Sequence, residues 1–271
     1  MNEFFQIEFL SVSNEQKDIL IAKLMIEGYA GFEEIENCLK AFIPIRDYDE
    51  NILKEISRTQ KVAFDKTIID ETNWNKVWES NFEPVVIDDF VSIRADFHLQ
   101  PKGVEHDIII TPKMSFGTGH HATTFLMIRQ MRQIDFKNKN VLDFGTGTGV
   151  LAILSEKLGA RNVVAIDNDT WSIENATENI QRNQCNRINL QKAEIAATHG
   201  SFNIILANIN KNVILQNFHL LAEQLTGGGV LLLSGLLAED EDDIFLIKDE
   251  YSLQLKQTTV RDNWLCLKFS C

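Results

Sequence analysis

Three stretches of this chain combine residue types that could hold an organic cofactor and align it for reaction. In the first, Val141-Leu142-Asp143-Phe144 leads into Gly145-Thr146-Gly147-Thr148-Gly149, and Val150 to Leu158 is then apolar at helical spacing. That order reads as strand, turn and helix, with glycines where a ligand must approach the backbone. In the second, Asp167 closes the apolar run Val163-Val164-Ala165-Ile166, 22 residues after Gly145. An acid there can accept hydrogen bonds from ribose hydroxyls. It could equally cap the next helix, a job that neighbouring Asp169 could also take. In the third, Ile204-Ile205-Leu206-Ala207 ends on Asn208. A side-chain amide can orient an incoming amine without taking its proton, although Asn after a strand also serves as an ordinary turn residue.

The glycines at 145, 147 and 149 make GxGxG, and Val150 stands where a dinucleotide fingerprint needs its last glycine. A pyrophosphate-binding reading is therefore incomplete. A second glycine turn lies upstream, at Phe116-Gly117-Thr118-Gly119-His120-His121-Ala122-Thr123-Thr124, ahead of an apolar-periodic helix at 123–131. His120-His121 lacks a third ligand at useful spacing, so a loop role is expected and no metal site.

The elements around these residues alternate. Strands at 141–144, 163–167, 188–191, 203–208 and 230–234 and helices at 150–158, 171–183 and 213–225 give the βαβ signature of a doubly wound parallel sheet. An acidic helix at 238–249 and two strands at 252–258 and 263–269 follow, the last two joined closely enough to form an antiparallel hairpin. Residues 90–111 suggest short strands. The first seventy residues read as a separate α+β unit: strand 4–10, helix 14–28, strands 32–36 and 39–45, helix 51–63. No chemistry-bearing cluster occurs in it, which points to recognition. Trp74 and Trp78 are four apart, so they share one face of a helix and suit packing of a linker.

With 26 Lys and Arg against 39 Asp and Glu, the net charge of −13 argues against a cationic nucleic-acid surface and suits a basic protein partner. Cys38, Cys185, Cys266 and Cys271 form no CxxC pair and read as reduced thiols. The first ten residues lack a basic n-region, and the longest apolar stretch, near 230–238, is too short to span a bilayer. A cytoplasmic protein is expected, without membrane contact and monomeric.

Together these residues resemble a family, the class I S-adenosylmethionine-dependent methyltransferases, and within it the ribosomal protein L-eleven methyltransferases of the PrmA type. Residues 141–149 resemble the superfamily's cofactor motif. The segment 116–124 resembles the narrower family's FGTGTHPTT loop, Ala207-Asn208-Ile209 its ANI strand end, and Trp74 to Phe82 followed by Pro84 its linker helix. His120-His121-Ala122 departs from Thr-His-Pro, and Asn210 replaces a usual Leu. The resemblance implies a ferredoxin-like α+β domain at 1–65 that grasps substrate, a linker helix region at 66–90, and a seven-stranded Rossmann-like methyltransferase domain at 91–271. It implies S-adenosyl-L-methionine as cofactor, with contacts from Thr124, Gly145, Gly147, Asp167 and Asn208, and Asn208 as the catalytic candidate. It also implies amines of ribosomal protein L eleven, a lysine or the N-terminal α-amine, as substrate. Alternatives are another protein, RNA or small-amine target on the same fold, a noncatalytic adaptor, or an oxidoreductase, the last disfavoured by Val150 and the terminal hairpin.

Overall fold

A computed structural model describes residues 3–29, 31–70, 82–113, 117–194 and 200–271. The chain divides into two compact units, Met1–Phe82 with Pro112–Phe116, and Glu83–Thr111 with Gly117–Cys271. Trp74, Trp78 and Phe116 lie outside the described residues, so the expected linker helix does too.

In the first unit, strands β1 (Glu3–Leu10), β2 (Gly31–Ile35), β3 (Cys38–Pro44) and β4 (Phe64–Asp70) form an antiparallel sheet in the order β2-β3-β1-β4. Two helices, α1 (Asn14–Ile26) and α2 (Glu50–Gln60), join them in the sequence βαββαβ. Helix α1 starts where Ser13 accepts from the Gln16 N–H and Gln16 returns the bond, which satisfies two otherwise orphaned donors. Ile7, Phe9, Leu20, Leu24, Leu39 and Ile43 are almost wholly buried and supply the unit's core. Strand β4 was not expected from the sequence, which placed a linker from residue 66. Its pattern hides it: Ile68 is exposed on an edge strand, so the run lacks a clean apolar alternation.

The second unit carries a three-stranded sheet, β5 (Val85–Ile87), β6 (Val91–Arg94) and β7 (His106–Ile109), in that order. Helix α3 (Ala122–Met131) follows. Then come β8 (Asn140–Phe144), α4 (Val150–Lys157), β9 (Asn162–Asp167), α5 (Thr170–Arg182) and β10 (Ile188–Lys192). The chain continues through β11 (Phe202–Asn208), α6 (Lys211–Glu223), β12 (Leu225–Leu237), α7 (Glu241–Lys248), β13 (Gln254–Arg261) and β14 (Trp264–Ser270). The large sheet runs β10-β9-β8-β11-β12-β14-β13, with parallel pairing from β10 to β12 and β14 reversed between β12 and β13, antiparallel to both. Strand order therefore reverses between β8 and β11, and a ligand of such a sheet sits outside the carboxyl ends at that point. Ile204 to Ala207 are buried because both faces of β11 are covered, which is why the run reads apolar without alternation.

Strand β12 is longer than the expected 230–234 because two irregularities hide its ends. Its pairing with β11 shifts register across Gly227-Gly228-Gly229, and its pairing with β14 shifts at Gly235. Gly235 has φ +84°, and a Cβ built on it would lie 2.2 Å from the Ile209 carbonyl oxygen. Only glycine lets the end of β12 come so close to the residue that follows Asn208. Among the described residues, no helix is long and apolar enough to cross a membrane. Replacing Gly235 with Ala is expected to destabilise the protein by about 1–3 kcal/mol through left-handed strain and the collision. A thermal melt would show this as a drop of several degrees, and an unchanged melting temperature would contradict the packing described.

Candidate active site

The three sequence-singled strand ends come together at the carboxyl edge of β8, β9 and β11. At the glycine turn, the N–H groups of Gly145 and Thr146 both donate to the Ile166 carbonyl at 2.9 Å, fastening the turn to β9. A Cβ on Gly145 would sit 2.0 Å from Ile209 Cγ2, so the turn closes directly on the end of β11. The Gly147 N–H donates to Asp167 Oδ2 at 2.8 Å, and the Asp169 N–H donates to Asp167 Oδ1 at 3.0 Å. The helix-capping role falls to Asp169, which accepts from the Ser172 N–H at 2.8 Å. Asp167 is thus left at the strand end. Burial pushes its carboxyl above the usual range, and the donated N–H groups act against that rise.

Asp143, fully buried, accepts from the Thr146 hydroxyl at 2.6 Å and holds the turn from beneath. Burial pushes its carboxyl up to about 7. The second glycine turn is tied to the first: the Thr148 hydroxyl donates to the Gly117 carbonyl at 2.8 Å. From there the chain enters α3, whose start is capped by His121, with Nδ1 accepting from the Thr123 N–H at 3.3 Å. His121 also sets its ring edge-on to buried Trp264, 4.6 Å between centroids. Burial drives its imidazole down to about 4, so it is neutral near pH 7 and keeps the lone pair the cap requires. His120 shares a 3.2 Å contact with Thr118. Ala122 fills the first helical position, where the missing proline would have fitted, and the His121 cap holds that start. In the third helix of this region, Asn210 caps α6 by accepting from the Val213 N–H at 3.1 Å, which accounts for its departure from leucine.

Within the first turn of α3, Thr124 is buried and its hydroxyl accepts from Asn208 Nδ2 at 3.4 Å. The structure thereby brings Thr124 to Asn208 and Gly147 to Asp167, with Gly145 bonded to the neighbouring Ile166 carbonyl and packed on Ile209. Sequence reading missed Thr148, Thr146 and Gly235 as supports. Gly235 alone had a legible signal, a lone glycine in an apolar strand.

The donor set suits an adenosyl sulfonium and opposes a pyrophosphate. The Gly147 N–H that a phosphate would need is already given to Asp167, and no Lys or Arg occurs from Asn140 to Glu156. Beside carboxylates a sugar diol and a cation are favoured, whereas a phosphate dianion is repelled. A mostly parallel seven-stranded sheet ending in an antiparallel pair, with this turn, acid and amide at its switch point, defines a methyltransferase of the S-adenosylmethionine-dependent class.

Residues 3–271 match the family "Ribosomal protein L11 methyltransferase (PrmA)", and the chain belongs to that family. It is similar to the ribosomal protein L11 methyltransferase of Porphyromonas gingivalis, 38% identical over 261 residues, spanning 93% of this chain and 90% of that protein. The Chlorobaculum tepidum protein of the same name is 36% identical across 94% of this chain and 92% of its own length. Among solved structures, the ribosomal protein L11 methylase of Lactobacillus delbrueckii subsp. bulgaricus superposes with a TM-score of 0.64 at 30% identity. That superposition covers 70% of this chain and 98% of the other.

The raised Asp143 carboxyl has a consequence for stability. Its folded-state value near 7 exceeds its ordinary value of 3.8, so the folded protein holds this proton more tightly than the unfolded chain. That contribution is complete below about pH 4 and is lost as pH rises through about 7. Asn at this position does not titrate. The melting temperature of Asp143→Asn minus that of the parent is expected to increase by at least about 4 °C between pH 4.5 and pH 8. A difference that stays flat with pH would contradict the burial of an ionisable group there.

Proposed function

We propose that this protein transfers methyl groups from S-adenosyl-L-methionine to amines, a lysine or the N-terminal α-amine, of ribosomal protein L11, acting as a cytoplasmic monomer. The observation that carries the reading is the contact of Asn208 with Thr124 on the strand end beside the Gly145 turn. In this reading the unit that ends in β4, five residues beyond the expected boundary at 65, is a ferredoxin-like substrate-recognition domain, and the second unit, which takes in β5 as well as the expected 91–271, is the methyltransferase domain with its terminal hairpin. The net charge of −13 favours a basic substrate.

Asp167 would hold the ribose hydroxyls, the backbone at Gly145 and Gly147 would lie against the adenosyl moiety, and Thr124 and Asn208 would border its reactive end. When bound, the cofactor supplies an activated methyl on a sulfonium, so the protein needs to supply alignment and a dry pocket. Asn208 donates Nδ2 to Thr124, which leaves Oδ1 to accept an N–H from the substrate amine. That bond aims the amine's lone pair and takes no proton. His121 is no substitute base, since its Nδ1 lone pair is committed to the helix cap. The amine must therefore arrive neutral. For a lysine with pKa near ~10.4, that fraction is about one in a thousand at pH 7.4, equivalent to roughly 4 kcal/mol. An α-amine near ~8 loses far less.

The experiment is purified protein with labelled S-adenosylmethionine and L11 across pH 6–9.5. Label is expected in L11, with Asp167→Ala strongly impaired and Asn208→Ala slowed by about 10²-fold in kcat. A rate that climbs with pH throughout marks lysine, and one that levels near ~8 marks the α-amine. No transfer to L11, with Asp167→Ala behaving as the parent does, would refute the reading.

A further inference from the structure

Helix α5 carries Asn175 and Asn179, and Asn183 follows directly after it, so three asparagines recur at four-residue spacing on one face. The amides of Asn179 and Asn183 grip backbone where ordinary side chains would pack. Asn183 Nδ2 donates to the Ile109 carbonyl at 2.6 Å, and its Oδ1 accepts from the Ile109 N–H at 3.0 Å. One helical turn back, Asn179 Oδ1 accepts from the Thr111 N–H at 2.7 Å. The match is geometric: four helical residues advance about 6.0 Å and two extended residues about 6.6 Å, so the asparagines keep step with β7 and its continuation.

Asn179 does more than follow β7. It is fully buried, and its Nδ2 donates to the Thr148 carbonyl at 2.8 Å, inside the glycine turn, and to Asn175 Oδ1 at 3.1 Å. The amide's orientation is forced, because the Thr111 N–H can only donate and the Thr148 carbonyl can only accept. Thr148 also holds Gly117 through its hydroxyl. Thr111 and Gly117 bracket residues 112–116, so both flanks of that segment are referred to one residue of the turn.

We propose that Asn179 is a positioning residue for the cofactor site: it fixes the Thr148 peptide, and with it the path of the glycine turn, against Thr111. The proposal rests on the reading of that turn as the cofactor site. Asn183 is the built-in comparison: its amide makes three backbone bonds, two to Ile109 and one to the Asn179 carbonyl at 2.8 Å, against two for Asn179, and none of the three goes to the turn.

The test is calorimetric titration of S-adenosylhomocysteine into the full-length protein, with a thermal melt of each variant. Asn179→Ala and Asn179→Asp are expected to weaken binding about tenfold, the strength of a buried amide bond to backbone. The Asp variant is isosteric, keeps the acceptor for Thr111 and loses the donor to Thr148, so it reports even if the Ala variant does not fold. Asn183→Ala is expected to melt below the parent, since it loses three backbone bonds, yet bind as the parent does. Parent-like binding by both Asn179 variants, or equal weakening by Asn183→Ala, would overturn the proposal and leave a purely structural ladder. Absence of binding by the parent would instead overturn the cofactor-site reading itself.

Discussion

Ile209 lies between two glycines, and the site depends on that fit. A Cβ on Gly145 would stand 2.0 Å from its Cγ2, and one on Gly235 would stand 2.2 Å from its carbonyl oxygen. Gly145 follows β8 and Gly235 interrupts β12, the two strands that flank β11. Side chains at either position would push the end of β11 away from its neighbours. With glycine on both sides, the peptide after Asn208 is clasped by the strands next to it, and the amide is held where Thr124 can meet it. The glycine turn and the strand end that carries Asn208 are thus set by one packing event.

Charge completes the arrangement. The glycine turn rests on buried Asp143 and is read from the side by Asp167, both acids that burial makes reluctant to ionise. A cationic ligand rewards such a surface, because its charge stabilises the carboxylates that the protein alone leaves poorly solvated. The imidazole of His121 is kept neutral and committed to a helix start. In the proposed reaction the site works by alignment of a neutral amine, with the amide of Asn208 as the aiming group.

Much of this was readable from the residues. The second half of the chain shows its strands as buried apolar runs and its helices by periodicity, so the elements carrying Gly145, Asp167 and Asn208 were placed to within a few residues. The assignment of Asp169 as cap and Asp167 as the open acid needed coordinates, since both stand in capping distance of α5 and only the hydrogen bonds separate them. Strand β4 was hidden because an edge strand with exposed Ile68 has no buried face to advertise. The ends of β12 were hidden by glycines that read as loop and act as bulges. The asparagine ladder was out of reach for a different reason: polar residues at helical spacing read as a solvated face, and only the structure shows backbone amides waiting for them.

The most direct measurement is a crystal structure of the protein with S-adenosylhomocysteine. The account predicts density at the carboxyl ends of β8, β9 and β11, with the ribose hydroxyls on the Asp167 carboxylate and the sulfur end facing Asn208 and Thr124. Density placed elsewhere, or a ribose that leaves Asp167 untouched, would contradict it.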